Sequence, residues 1–104
     1  MTKERLRAVT DRIIETIHPL RIILFGSQAR GDFHQESDID ICIIVSSAKD
    51  WFDRQLEFRK AVHFPDIDIE PHIYTQHELD KMIEDENPFI QQILKEGQVL
   101  YEQQ

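Results

Sequence analysis

Residues Phe25–Ile41 read FGSQARGDFHQESDIDI, and this stretch decides how the rest of the chain is read. Two of the chain's three glycines, Gly26 and Gly31, fall within it, followed by two aspartates spaced D-x-D. Arg21–Phe25 before the first glycine reads as a short buried strand. Asp38–Val45, rich in β-branched residues and closed by Ser46 and Ser47, reads as a second. A strand, a glycine and a short helical turn make a general phosphate-binding device, because the turn exposes backbone N–H groups and a helix N-terminus carries partial positive charge. Gly26 lets a ligand approach the backbone closely, and Ser27 adds a hydroxyl.

The G-x-x-x-x-G spacing also matches the start of a Walker loop, which needs Lys and then Ser or Thr after the second glycine. Asp32 and Phe33 stand there instead, and a carboxylate would repel phosphate, so that reading is rejected. On a strand, Asp38 and Asp40 share one face, roughly 6.5 Å apart at ~3.3 Å per residue. Paired metal ions in phosphoryl-transfer sites lie roughly 3.5–4 Å apart, within the span of two such carboxylates. A solvated strand edge is the alternative, but the strand runs on into Cys42-Ile43-Ile44-Val45, an awkward place for two free carboxylates. Hard cations take several oxygen ligands, so a third acid is expected. Asp68, in an acidic strand read over Asp66–Tyr74, supplies it if the two strands pair. Asp66 and Glu70 share its face and are the fallbacks.

Working outward, Leu6, Val9, Ile13, Ile14 and Ile17 recur at helical spacing, which predicts a helix from Thr2 or Lys3 to about Ile17, ended by Pro19. Lys49 to about His63 reads as a helix with Phe52, Leu56 and Val62 on one face and with Trp51 and Phe52 in the core, stacking on a base being the alternative for that pair. The acidic strand alternates polar and apolar residues, and Pro71 places it at an edge or an end. Thr75 and Glu78 form a capping box for a helix to about Glu86, and Asn87-Pro88 starts a last helix that Gly97 stops. The expectation is one α+β domain over residues 1–104, with a small mixed sheet covered by helices.

With 104 residues and a formal net charge of −8, the chain lacks the basic surface on which nucleic-acid binding is built. Its apolar runs, such as Ile22–Phe25, are too short to span a bilayer, and Met1–Arg7 carries no secretory signal, so no membrane association and a cytoplasmic location are expected. The single cysteine, Cys42, forms no internal disulfide and reads as a small core residue. His34 in the loop could approach a nucleotide and His72, two steps past Glu70, could contact a metal or phosphate, but these two, with His63 and His77, are read first as structural or surface residues, because magnesium prefers oxygen ligands. Ser37 reads as a local cap, and Arg30 as a loop or phosphate contact or as an ion-pair partner of Asp32 or Glu36.

Gly26-Ser27, Arg30-Gly31 and Ser37-Asp38-Ile39-Asp40, with the later Asp68 between apolar residues, resemble the polymerase-beta-like nucleotidyltransferases. The small size narrows the resemblance to their minimal nucleotidyltransferase branch. It implies a magnesium-dependent enzyme with two ions and ATP as substrate: Gly26, Ser27 and Arg30 toward the triphosphate, Asp38, Asp40 and Asp68 as metal ligands and catalytic acids. It further implies transfer of AMP to a hydroxyl of a partner protein, with a helical HEPN-type toxin as partner and this chain as antitoxin, in a homo- or hetero-oligomer. An antitoxin that binds nucleotide but acts by complex formation alone is the alternative. A D-x-D nuclease would leave Gly26 and Ser27 without a role.

Overall fold

The computed structural model describes residues 2–31 and 38–104. The elements follow in the order α1 (Lys3–Ile17), β1 (Arg21–Phe25), α2 (Ser27–Arg30), β2 (Ile39–Val45), α3 (Trp51–Ala61), β3 (Ile69–Thr75), α4 (Gln76–Glu84), α5 (Pro88–Glu96) and β4 (Gln98–Glu102). The strands form one mixed sheet in the order β3-β2-β1-β4. β1 pairs antiparallel with β2 and β4, while β2 and β3 run parallel. Among the described residues no helix is long and apolar enough to cross a membrane.

Strand alternation divides the core into two layers. Ile22, Leu24, Ile39, Ile41 and Ile43 pack with Val9 and Ile13 of α1 and with Phe58 of α3. On the opposite face, Ile23, Cys42 and Ile44 pack with Leu79 of α4 and with Ile90 and Ile93 of α5. The helix ends use the devices read from the sequence. The Thr2 side chain caps α1, Thr75 and Glu78 form the reciprocal capping box of α4, and Asn87 caps α5 ahead of Pro88. Cys42 lies in the core, where burial pushes its thiol up to about 12.

Three expectations are corrected. The helix after Ser47 buries Arg54 and Phe58, leaving Phe52 at 62% and Leu56 at 40% exposure, with Trp51 also exposed. Its inward face runs through positions 54, 58 and 62, and the polar name of Arg54 hides it. The arginine stem is buried while its guanidinium reaches both oxygens of Glu78, at 2.6 and 2.9 Å. Second, the acidic strand begins at Ile69, so Asp66 and Asp68 precede it. Ile67 N–H closes a turn onto the Phe64 carbonyl at 3.1 Å, and Asp66 pairs with Arg5.

Third, a strand follows Gly97. A Cβ at this glycine would run into the Ile93 carbonyl oxygen and the Ile23 side chain, so its missing side chain lets the end of α5 cross close to β1. β4 lies beyond it, at a sheet edge and largely exposed. The other edge is β3, as Pro71 predicts. In a parallel ladder alternate residues point their backbone groups outward. Ile39 N–H bonds to the Asp68 carbonyl at 2.8 Å, which puts Pro71 on the outward side, where no N–H is needed.

The Arg54–Glu78 pair ties α3 to α4 and should be visible in acid. Its hydrogen bonds hold the Glu78 carboxyl down to about 2, against burial that pushes it up and with help from the Thr75 N–H. A depressed carboxyl stabilises the fold fully above its unfolded value near 4.5, and the contribution is lost as pH falls through the folded value. Because 42% of the Glu78 side chain remains in water, screening reduces it to about 1–2 kcal/mol. In urea denaturation, Glu78→Gln should be less stable than wild type by that amount at neutral pH. The gap should close between pH 4.5 and 2.

Candidate active site

The site forms where the α4–α5 layer stops short of covering the sheet. Phe25, Asp40 and Glu70 stand in register on β1, β2 and β3, so their side chains share the face that carries Cys42 and Ile44 farther along β2. There α4 and α5 cover the sheet; nearer its Phe25 end the cover narrows to α5, whose Phe89 packs on Phe25 and His72, and Asp40 is half-buried while Glu70 is exposed. His72, two residues past Glu70, lies on the same face. Asp40, Glu70 and His72 each offer a ligand atom within 4.8 Å of the others.

Gly26 holds this arrangement together. Its φ of 76° and ψ of −155° lie in a region that only glycine occupies without strain. A Cβ here would collide with the Asp40 carboxylate. The glycine thus serves twice, turning the chain from β1 into α2 and leaving room for the acid on β2. Ser27 opens α2, and Gly31 closes it in the left-handed conformation. Arg30 reaches Glu96 of α5 at 3.6 Å, and the Gln98 side chain donates to the Ala29 carbonyl at 2.9 Å. The turn is therefore braced by the C-terminal elements.

An aromatic wall borders the acids. Phe25, His72 and Phe89 pack with ring centroids 5.2–5.7 Å apart, Phe25 meeting Phe89 edge-on. Burial in this wall pushes the His72 imidazolium toward deprotonation, against Glu70, which favours the charged form. Burial likewise raises the Tyr74 hydroxyl.

Of the residues singled out in the sequence, Gly26, Ser27 and Asp40 converge. Asp38 is half-buried one residue before β2, and Asp68 is exposed, one residue before β3. Neither belongs to the group of three, in which Glu70 is the acid facing Asp40. His72, read from the sequence as structural, is the group's third member, and Phe89 was not singled out. The signal for Glu70 and His72 was present in their i, i+2 spacing, but which rung faced Asp40 depended on a strand register the sequence leaves open. Asp32, Phe33, His34, Glu36 and Ser37 lie outside the described residues.

The carboxylates of Asp40 and Glu70 supply oxygen donors of the kind that magnesium or manganese takes. A glycine-serine turn next to converging acids defines a site for handling phosphate esters with a divalent cation. Residues 9–104 match the family described as polymerase beta, nucleotidyltransferase, and the chain belongs to that family. It is 42% identical over 59 residues to a Methanocaldococcus jannaschii protein that carries the name of a protein adenylyltransferase, MJ0141. The match spans 54% of this chain and 60% of that relative's length. Its fold is similar to that of a nucleotidyltransferase from Sulfolobus solfataricus, with a TM-score of 0.63 at 20% identity over 96% of this chain and 79% of the other. It is also similar to a chain in a crystal structure of a toxin-antitoxin with AMP-PNP, with a TM-score of 0.63 at 25% identity over 90% of this chain and 73% of that one.

Gly26→Ala tests the contact between turn and acid. Forcing a Cβ into this conformation should cost about 1–3 kcal/mol in chemical denaturation. Displacing Asp40 should also weaken manganese binding, read by electron paramagnetic resonance, by about tenfold or more. Unchanged manganese affinity would show that Gly26 does not set the position of Asp40.

Proposed function

We propose that this chain moves AMP from ATP onto a hydroxyl of a partner protein, as the antitoxin of a pair with a HEPN-type toxin. The observation that carries the reading is the register that sets Glu70 beside Asp40, with Asp40 against Gly26. Family membership supports the nucleotidyl transfer, and the relative's name supports a protein acceptor. The toxin-antitoxin neighbour, which holds an ATP analogue, supports both the nucleotide and the partner. The acidic balance of the chain argues against a nucleic-acid acceptor.

Asp38 and Asp40 would hold magnesium, with Glu70 as the third acid; Asp68, expected in that role, stands before β3. When bound, magnesium lowers the pKa of the attacking hydroxyl and neutralises charge on the departing pyrophosphate. The protein's own groups position the reactants. Backbone N–H groups after Gly26 and the Ser27 hydroxyl receive the outer phosphates. Glu70, exposed beside Asp40, takes the proton of the attacking hydroxyl. Arg30, extended toward Glu96, holds the turn in place.

Asp40→Asn keeps the side chain's shape and removes its charge. Transfer of AMP to a co-expressed HEPN-type partner, followed by intact-protein mass spectrometry, should fall by about 100-fold or more, while the thermal melt stays cooperative. A folded variant that transfers as well as wild type would refute the proposal.

A further inference from the structure

The acid cluster of the site contains a nitrogen donor. Asp40 and Glu70 bring carboxylate oxygens, and His72 brings a ring nitrogen to within 4.8 Å of both. The strand register explains the meeting. Glu70 is the parallel partner of Asp40, and His72, one same-face step farther along β3, is the partner of Cys42. The imidazole therefore stands diagonally across from Asp40. The transfer reaction described above gives it no role.

Two further observations bear on this nitrogen. The His72 ring is clamped, with the ring centroids of Phe25 and Phe89 at 5.3 and 5.2 Å. A side chain packed on two sides has few rotamers left to lose, so its nitrogen is presented to the acids at little entropic cost. The acids, for their part, lack a counter-charge. Among the described residues no arginine or lysine pairs with Asp40 or Glu70, and His72 itself forms no ion pair with either. Like charges on neighbouring strands oppose each other's ionisation unless a cation joins them. Ligand atoms around one ion, each about 2.1 Å from it, lie roughly 3–4 Å apart. Side-chain rotations of about 1 Å therefore close the three atoms on an ion.

We infer that His72 is a ligand of the divalent ion at this site, and that its nitrogen makes the site prefer a first-row transition ion of the manganese-to-zinc series over magnesium. The inference deepens the cation site of the nucleotidyltransferase reading above and rests on that reading for the site's use. Magnesium takes oxygen donors in near-ideal octahedral geometry and gives up its waters reluctantly. Imidazole suits the later ions, and affinity for mixed nitrogen and oxygen sites rises from manganese to cobalt and nickel. Two carboxylates balance the charge of one divalent ion, and the imidazole then decides which ion is held. A magnesium ion carried in with ATP is not selected in this way, because phosphate oxygens supply much of its coordination. The preference of magnesium for oxygen, which makes His72 look structural in the sequence, is on this view a property that the site uses to discriminate against magnesium.

The test needs no nucleotide. The full chain is titrated with manganese, followed by electron paramagnetic resonance, and with cobalt, followed by its visible absorption, each in competition with magnesium. Wild type should bind cobalt more tightly than magnesium by about tenfold or more, and pulsed resonance of the bound manganese should show the nitrogen coupling of a coordinated imidazole. His72→Phe keeps a ring against Phe25 and Phe89 and removes the nitrogen. The coupling should vanish, cobalt should bind about tenfold or more weakly, and magnesium affinity should stay within about threefold of wild type. His72→Gln, which offers an oxygen donor instead, should move the cobalt-to-magnesium ratio in the same direction and serves if the Phe variant does not fold. Wild type without nitrogen coupling, a coupling that persists in a folded variant, or a ratio that the substitution leaves unchanged would overturn the inference while the nucleotidyltransferase reading stands. Wild type that binds none of the three ions would remove the cation site, and that reading with it.

Discussion

The parallel pairing of β2 with β3 in one register is the constraint on which the rest depends, because it sets Asp40 directly beside Glu70. Two carboxylates at a strand spacing of ~4.8 Å repel by about 1 kcal/mol in water and by several times that at lower effective dielectric. Register is held against this by the opposite face. Ile39, Ile41 and Ile43 are fully buried against α1 and α3, each contributing about 1.5–3 kcal/mol. A slip by one residue would turn all of them toward the α4–α5 side. The isoleucines thus outweigh the repulsion several-fold, and the acids are held together by packing that they take no part in.

The C-terminal third of the chain decides where the acids are accessible. α4 and α5 cover Cys42 and Ile44, while on the same face Asp40 stays half-buried and Glu70 exposed. Phe89 on α5 completes the wall with Phe25 and His72, Glu96 meets Arg30, and Gln98 on β4 holds the Ala29 carbonyl. Two of these contacts run from the end of the chain to the turn after β1, and the third reaches the last residue of β1 itself. Gly97 makes them possible by letting α5 pass close to β1 before β4 pairs with it.

Much of this was legible in the sequence where one local signal sufficed. Thr2, Thr75 with Glu78, and Asn87-Pro88 mark helix starts by side-chain capping, which needs no tertiary partner. Arg21–Phe25 and the D-x-D strand were readable from β-branched runs between turn residues. What was not legible depended on contacts across the fold. Arg54 looks like a surface residue until Glu78, 24 positions on, accepts two hydrogen bonds from its guanidinium. The alternation from Asp66 to Tyr74 gives no sign that its first residues turn away toward Arg5. β4 is five residues long, and Leu100 and Tyr101 are its more buried members, too short a pattern to separate from a tail. Within the site, Gly26 and Asp40 were singled out from the sequence, whereas that Glu70 is the residue in register with Asp40 depended on the strand pairing.

The charge of the chain bears on how a nucleotide could occupy such a site. The formal net charge of −8 and the acids of the site both oppose a bare triphosphate, and Arg30, the cation nearest the turn in sequence, reaches toward Glu96. Backbone N–H groups and one hydroxyl on a four-residue helix supply only partial charges, each contributing a small fraction of what a full cation supplies. On the nucleotidyltransferase reading, a divalent ion held by the acids would offset this repulsion before any step of the reaction. The acids that would activate the chemistry then also select the form in which ATP arrives, as its metal complex.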